Sequence, residues 1–259
     1  ALYAAYNLNE PIHERLVNWW VDVTTLDWGQ SITAKAPVID VLNGPVQTTL
    51  EYVIPGVVLA MVLGVVFGVF SALSKNSAFD WGVRLTAYTF LGVPVFMLLT
   101  YMGYVAGWRI PLVGGVTLVL PVLGPKTLAA LAVALSLLAG QIRFARASAL
   151  EQTGQTFVKM LRAKGATRLR VARHVVRNAA IPIVSLSITE LLAVLVLNIY
   201  VIEEALGLRG LAEVSLLAAT QSDVPLLIWS TMVVVFFGIT LSFIQDVLYG
   251  YLDPRVRSG

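Results

Sequence analysis

Residues 155–183 read QTFVKMLRAKGATRLRVARHVVRNAAIPI, and the reading of the whole chain turns on them. Lys159, Arg162, Lys164, Arg168, Arg170, Arg173 and Arg177 crowd into this stretch without one acidic residue. Long apolar segments flank it on both sides. A basic loop between membrane spans stays on the cytoplasmic face, so the stretch bears on class and orientation together. It is patterned as well as charged. Phe157, Met160 and Leu161 fall at helical spacing on one face, while Lys159 and Arg162 point elsewhere. Gly165 follows at once, where a helix commonly ends in a left-handed residue that is cheap only for glycine. A second helical register then places Leu169, Ala172, Val176 and Ala179 on one side and arginines on the other. The expected order is helix, glycine turn, helix, then a membrane span opened by Pro182.

Composition supports a membrane protein. Mean hydropathy is +0.80, with 58% hydrophobic and 13% charged residues, where a soluble domain carries about a quarter charged. The absence of cysteine excludes disulfides, thiolate metal sites and cysteine nucleophiles. A pI near 9.2 could suggest nucleic acid. The cations gather in membrane-flanking loops instead, so topology accounts for them and no nucleic-acid partner is expected.

Five segments are long enough to span, given about twenty apolar residues per crossing: 50–74, 85–107, 127–147, 180–202 and 225–250. Between the second and third lies IPLVGGVTLVLPVLGP (110–125), which glycine and proline break into an external hairpin or re-entrant loop. Residues 1–48 form an external segment. Its Trp19, Trp20 and Trp28 suit either a membrane interface or an ordinary surface loop. Thirteen of the 18 lysines and arginines fall on one side of this topology, from Lys75 and Arg84 through the basic loop to Arg255 and Arg257. Arg15, Lys35, Arg109, Lys126 and Arg209 fall on the other. The larger set marks the cytoplasm, so the chain starts outside and ends inside with the tail 251–259. An external start implies a sixth span upstream.

Within the spans, Gly64 and Gly68 form a GxxxG, read as helix packing. Pro94 should kink the second span. Glu190 lies mid-span, where an ionisable group costs about 2.5–3.5 kcal/mol and faces protein or water. Ser187 and Asn198 share its helix face. The stripe fits a lined pathway or, equally, a structural hydrogen bond to a neighbouring helix. No nucleotide-cradling GxxxxGK[ST] loop is present, nor HExxH, nor GxSxG. His13 and His174 fall on opposite faces and cannot form a metal site together.

RAKG at 162–165, followed by RHVVRNAAIP at 173–182, closely resembles the cytoplasmic signature of permease subunits of dipeptide and oligopeptide ABC importers. Glu203, Gly210, Asp223 and Pro225 match spaced family motifs in the loop after the fourth span. There Leu206 stands for an aromatic, Arg209 for proline and Ala212 for a final glycine. Asp246, Tyr249 and DPR at 253–255 match the family's end, and YNLNEP, LDWGQS and TTLE its beginning. The broader importer pattern has Glu-Ala-Ala where this chain has Lys159, Met160 and Leu161, and a shorter glycine-to-proline distance. Both departures fit the peptide branch.

The resemblance implies an all-α, polytopic bundle like the type I ABC importer permeases, with a permease domain over 49–250. It implies a coupling loop over about 148–179, whose Phe157, Met160, Leu161, Ala163, Lys164 and Gly165 engage an ATPase subunit. The external loop, about 203–224, would meet a binding protein through Glu203, Glu204, Arg209, Gly210 and Asp223. Expected partners are a second homologous permease, two ATP-binding subunits that hold the ATP and Mg, an extracytoplasmic binding protein, and membrane lipid. The chain itself needs no cofactor and is no enzyme. The implied location is a prokaryotic plasma membrane. Alternatives are import of oligosaccharides or nickel by the same architecture, an ion-coupled secondary transporter using Glu190, or a purely structural membrane protein. Inverted repeats would favour the secondary transporter, and the sequence shows none.

Overall fold

The computed structural model describes residues 11–95, 97–99, 109–111, 117–119 and 123–252, with backbone alone for the two short strands and for 181–182, 184–197, 248–249 and 251–252. In chain order the described elements are α1 (Ile12–Thr25), α2 (Val38–Leu73), α3 (Ala78–Gly92), β1 (Arg109–Pro111), β2 (Thr117–Val119), α4 (Pro125–Thr153), α5 (Thr156–Ala163), α6 (Arg168–Leu206), α7 (Leu211–Thr220) and α8 (Val224–Leu252). Among the described residues the architecture is all-α apart from one pair of short strands. There β1 pairs antiparallel with β2, Ile110 opposite Leu118, in the segment that glycine and proline interrupt.

Among the described residues, three helices are long and apolar enough to cross a membrane: Val38–Leu73, Pro125–Thr153 and Val224–Val247. At 36 residues, α2 is about 54 Å long, well beyond a hydrocarbon core of roughly 30 Å. It starts at Val38, so the expected boundary near residue 48 falls inside a helix. Tertiary burial explains the early start. Val38 and Leu42, one turn apart, pack with Leu211, Val214 and Trp229. The preceding loop is closed by the Ser31 amide donating to Ala36 O (2.9 Å) and the Val38 amide donating to Gly29 O (3.0 Å). Trp28 stacks on Trp229 with centroids 4.6 Å apart, so that indole serves an internal contact, whereas Trp20 is exposed.

Gly56, Ala60, Gly64 and Gly68 recur every fourth residue along α2 and face α4. A Cβ on Gly64 would lie 2.3 Å from Cβ of Gln141, and one on Gly68 would lie 2.7 Å from Cβ of Ala145. The GxxxG is therefore a packing device, since only bare backbone lets the helices come this close.

Pro94 does more than kink. α3 ends at Gly92, Val93 is extended (φ −99°, ψ 114°), and the amides of Met97 and Leu98 donate to Pro94 O. A residue before proline is driven out of the α region, so the helix stops and restarts.

Candidate functional site

The basic loop forms the expected helix, glycine turn and second helix, but Pro182 does not open a separate span: α6 runs unbroken from Arg168 to Leu206. After α4 ends at Thr153, α5 makes two turns and closes in a left-handed glycine, Gly165, at φ +71°. The Ala166 amide donates to Leu161 O and the Gly165 amide to Arg162 O, both at 3.0 Å. This crossed pair is the Schellman closure, which satisfies carbonyls the helix end would otherwise orphan. Thr167 then caps α6, its hydroxyl accepting from the Arg170 amide.

The faces of α5 divide differently from the simple apolar stripe. Val158 is fully buried, and Phe157 and Leu161 are partly buried, against Val69, Ala72, Ala149, Val171, Ala172 and Val175. The chain's own core thus takes two of the three apolar residues expected to face an ATPase. Met160 is 56% exposed, and Lys159, Arg162, Ala163 and Lys164 are exposed beside it. In the following helix, Leu169 is 70% exposed rather than grouped with the inward Ala172 and Ala179. Val171 and Val175 fill the inner face in its place.

At the far end of α6 the geometry is that of a buried staple. Glu203 is fully buried, and its Oε1 accepts from Thr49 Oγ1 (2.6 Å) and Tyr52 OH (2.8 Å) on α2. Its Oε2 accepts from the amides of Ala212 (2.8 Å) and Glu213 (2.9 Å) in the first turn of α7. The Leu211 amide donates to Thr49 Oγ1 at 2.8 Å. The first three amides of α7 therefore all have partners, and the carboxylate sits at the positive end of the helix. Gly210 leaves the room: a Cβ there would lie 2.1 Å from Oε1 of Glu203.

Asp223 makes a second staple. Its Oδ2 accepts from Ser31 Oγ (2.6 Å), Thr33 Oγ1 (2.8 Å) and the Thr33 amide (3.0 Å). Its Oδ1 accepts from the Leu226 amide in the first turn of α8. Burial raises the carboxyl's pKa, and the Ser31 and Thr33 hydrogen bonds outweigh that, holding it at about 2.

Residues 64–258, three quarters of the chain, match the family described as the binding-protein-dependent transport system inner membrane component. The chain belongs to that family. The dipeptide transport system permease protein DppB of Bacillus subtilis is 27% identical over 99% of this chain and 83% of its own length. The oligopeptide transport system permease protein OppB of Haemophilus influenzae is 28% identical over 98% of this chain and 83% of its own. The metal-staphylopine import system permease protein CntB of Staphylococcus aureus is 27% identical over 98% of this chain and 81% of its own. A chain of the MetNI methionine ABC transporter, in an inward-facing form, shares the fold with a TM-score of 0.64 over 82% of this chain and 96% of its own, at 18% identity. The resemblance to peptide-importer permeases is borne out by these relatives.

The structure sorts the residues expected to act in this permease. Glu203, Gly210 and Asp223 are buried within the chain, so they build the loop instead of presenting themselves to a partner. Glu204 and Arg209 are exposed on it. Backbone alone is described at Ser187 and Glu190, within α6, so the side chains of that stripe lie outside the described residues; Asn198 is half-buried.

One site escaped the sequence reading. Asp80, in the first turn of α3, is fully buried and takes a two-point grip from Arg146 of α4, Nε to Oδ1 at 2.8 Å and Nη2 to Oδ2 at 3.0 Å. The Ser71 hydroxyl and the Asn76 amide also donate to it. The Arg146 guanidinium holds this carboxyl well below the usual carboxylate range. Ser77 caps α3, its hydroxyl accepting from the Asp80 amide at 3.2 Å. Ser77-x-x-Asp80 is thus a capping signature, legible in the sequence as the start of a helix.

Proposed function

We propose that this chain is one of two membrane subunits of an ATP-driven importer of dipeptides and oligopeptides, forming half of the translocation pathway in a prokaryotic plasma membrane. The observation that carries the reading is α5, a short helix braced from behind by the chain's own core. It turns Met160, Ala163 and a row of cations outward. A helix built and then left facing out, in a family of transport components, suits docking to an ATPase subunit. The cationic loop supports a cytoplasmic position for it.

A second homologous permease and two ATP-binding subunits, which supply ATP, Mg and hydrolysis, complete the translocator. An extracytoplasmic binding protein delivers the substrate and meets Glu204 and Arg209 on the outer loop. Ser187, Glu190 and Asn198 line the pathway. The relatives named for dipeptide and oligopeptide transport favour peptides as cargo.

Docking draws on the outward apolar atoms, because burying a large apolar side chain contributes about 1.5–3 kcal/mol, against about 0–1 for an exposed ion pair. Met160→Asp should release or uncouple the ATPase, and Lys159→Ala should be mild. Gly165→Val should resemble Met160→Asp, since a β-branched residue resists φ +71°. Transport and ATPase copurification measure all three. Equal damage from Lys159→Ala and Met160→Asp would show electrostatic docking. Mass-spectrometric identification of the ligand on the cognate binding protein tests the cargo, and an oligosaccharide or nickel there would refute the peptide assignment.

A further inference from the structure

A cavity of about 880 Å³ opens where the end of α2, the start of α3, α5 and the start of α6 converge. Lys75, Arg162 and Arg168 line it from three separate segments, and among the described residues no acidic side chain does. None of the three forms an ion pair among the described residues. Asp80, close by in sequence, is fully buried and already held by Arg146, Ser71 and the Asn76 amide, so it does not neutralise them. Phe70, Leu73 and Phe79 add apolar surface to the lining, alongside the hydroxyl residues Ser74, Ser77 and Thr153. Three cations without an ion-pair partner among the described residues, beside apolar side chains, match an amphiphile with an anionic head.

The cavity lies directly beyond the end of the apolar helix α2, which closes at Leu73. Basic pockets at the cytoplasmic ends of membrane helices select anionic headgroups. We propose that this cavity binds one anionic phospholipid, its phosphate between Lys75, Arg162 and Arg168 and an acyl chain along Phe70, Leu73 and Phe79. A zwitterionic lipid is discriminated against because its own ammonium would sit among three cations. Arg162 belongs to α5, so the bound lipid ties the helix that faces the ATPase to the charge of the membrane. Only the cytoplasmic placement and that last consequence rest on the importer reading.

The test is native mass spectrometry of the complete purified complex, titrated with phosphatidylglycerol, phosphatidylcholine or inorganic phosphate. The wild type should retain one phosphatidylglycerol with roughly tenfold preference over phosphatidylcholine, undisplaced by inorganic phosphate. Lys75→Gln/Arg168→Gln removes two charges while keeping long side chains, and should abolish the preference with the melting temperature unchanged. Lys159→Ala/Arg177→Ala, which removes cations outside the cavity, should keep it. Should the double glutamine variant not fold, Arg168→Gln alone should lower the preference several-fold. Equal retention of the two lipids would overturn the proposal, as would retention insensitive to Lys75 and Arg168. Displacement by inorganic phosphate would make it a free-anion site. Retention by the permease alone that vanishes in the complex would assign the cavity to the ATPase. The lipid readout needs no ATPase activity, so failure of the importer reading would appear separately, as absent ATPase copurification.

Discussion

Glu203→Leu is the sharpest perturbation the structure offers. Leucine fills a similar volume but accepts no hydrogen bond. The amides of Ala212 and Glu213 lose their only acceptor among the described residues, at the buried start of α7. Leaving a buried donor unpaired costs about 1–3 kcal/mol, so the two together cost about 2–6 kcal/mol. The Tyr52 hydroxyl loses its partner as well. Even the lower bound of about 2 kcal/mol corresponds to about 30-fold in an opening equilibrium. The assay is hydrogen exchange of the Ala212 and Glu213 amides in the purified complex, which reads local opening. Glu203→Gln is the control. Its amide oxygen can serve the two backbone amides while its NH₂ donates to the two hydroxyls, which can act as acceptors. Glutamine should therefore recover most of the protection that leucine loses. Exchange in Glu203→Leu within about threefold of wild type would refute the staple, because it would imply an opening cost below about 1 kcal/mol.

Arg146→Ala strips the guanidinium from a fully buried Asp80, a loss of about 3–5 kcal/mol, and should lower the melting temperature of the complex; restoration by Asp80→Asn in the same chain would identify the uncompensated charge as the cause. The Asp223 carboxyl is depressed from 3.8 to about 2. Its contribution to stability is therefore complete above about pH 4 and is lost as pH falls through about 2, so exchange at the Thr33 amide should accelerate across that window in wild type and not in Asp223→Asn. Gly64→Leu places side-chain atoms where even a Cβ would lie 2.3 Å from Gln141; α2 and α4 should separate, with loss of assembled complex on size exclusion, while Gly82→Leu, in open space, should assemble normally.

The local turns read from the sequence held, while its periodicity held only in part, since Leu169 fell outside its expected inner face. Gly165 took the left-handed turn, and at the interrupted segment the described strands Arg109–Pro111 and Thr117–Val119 paired antiparallel. What it left undetermined was which partner covers an apolar face. Phe157 and Leu161 do lie on one side of a helix, but Val69 and Ala72, far back in the chain, cover that side. Helical spacing reports that a face is apolar and is silent about whether the chain or another molecule buries it. The same limit hid the role of Glu203. Its motif was legible, whereas its acceptor duty depends on Thr49, 154 residues away, and Tyr52, 151 away. Asp80 was within reach through its capping pattern with Ser77, yet Arg146 lies 66 residues on, and no local rule pairs them.

Asp80, Glu203 and Asp223 are the fully buried acids among the described residues, and each joins elements at one end of the bundle. Asp80 and Arg146 fix the end of α2 and the start of α3 to α4, beside α5. Glu203 fixes α2 to α6 and α7 through Thr49 and Tyr52, in the N-terminal half of α2. Between these staples, α2 and α4 meet through small residues at backbone distance, a contact with little room to slide without steric clash. α5, by contrast, rests on the same body through apolar contacts alone among the described residues, chiefly Phe157, Val158 and Leu161. Apolar contact is non-directional and tolerates small shifts, whereas a buried charge pair loses several kcal/mol when it parts. A displacement applied to the outward face of α5 should therefore first be taken up at its own apolar seat. Beyond what that seat absorbs, α2, α3 and α4 should move together, carrying the displacement toward the Glu203 staple rather than bending midway.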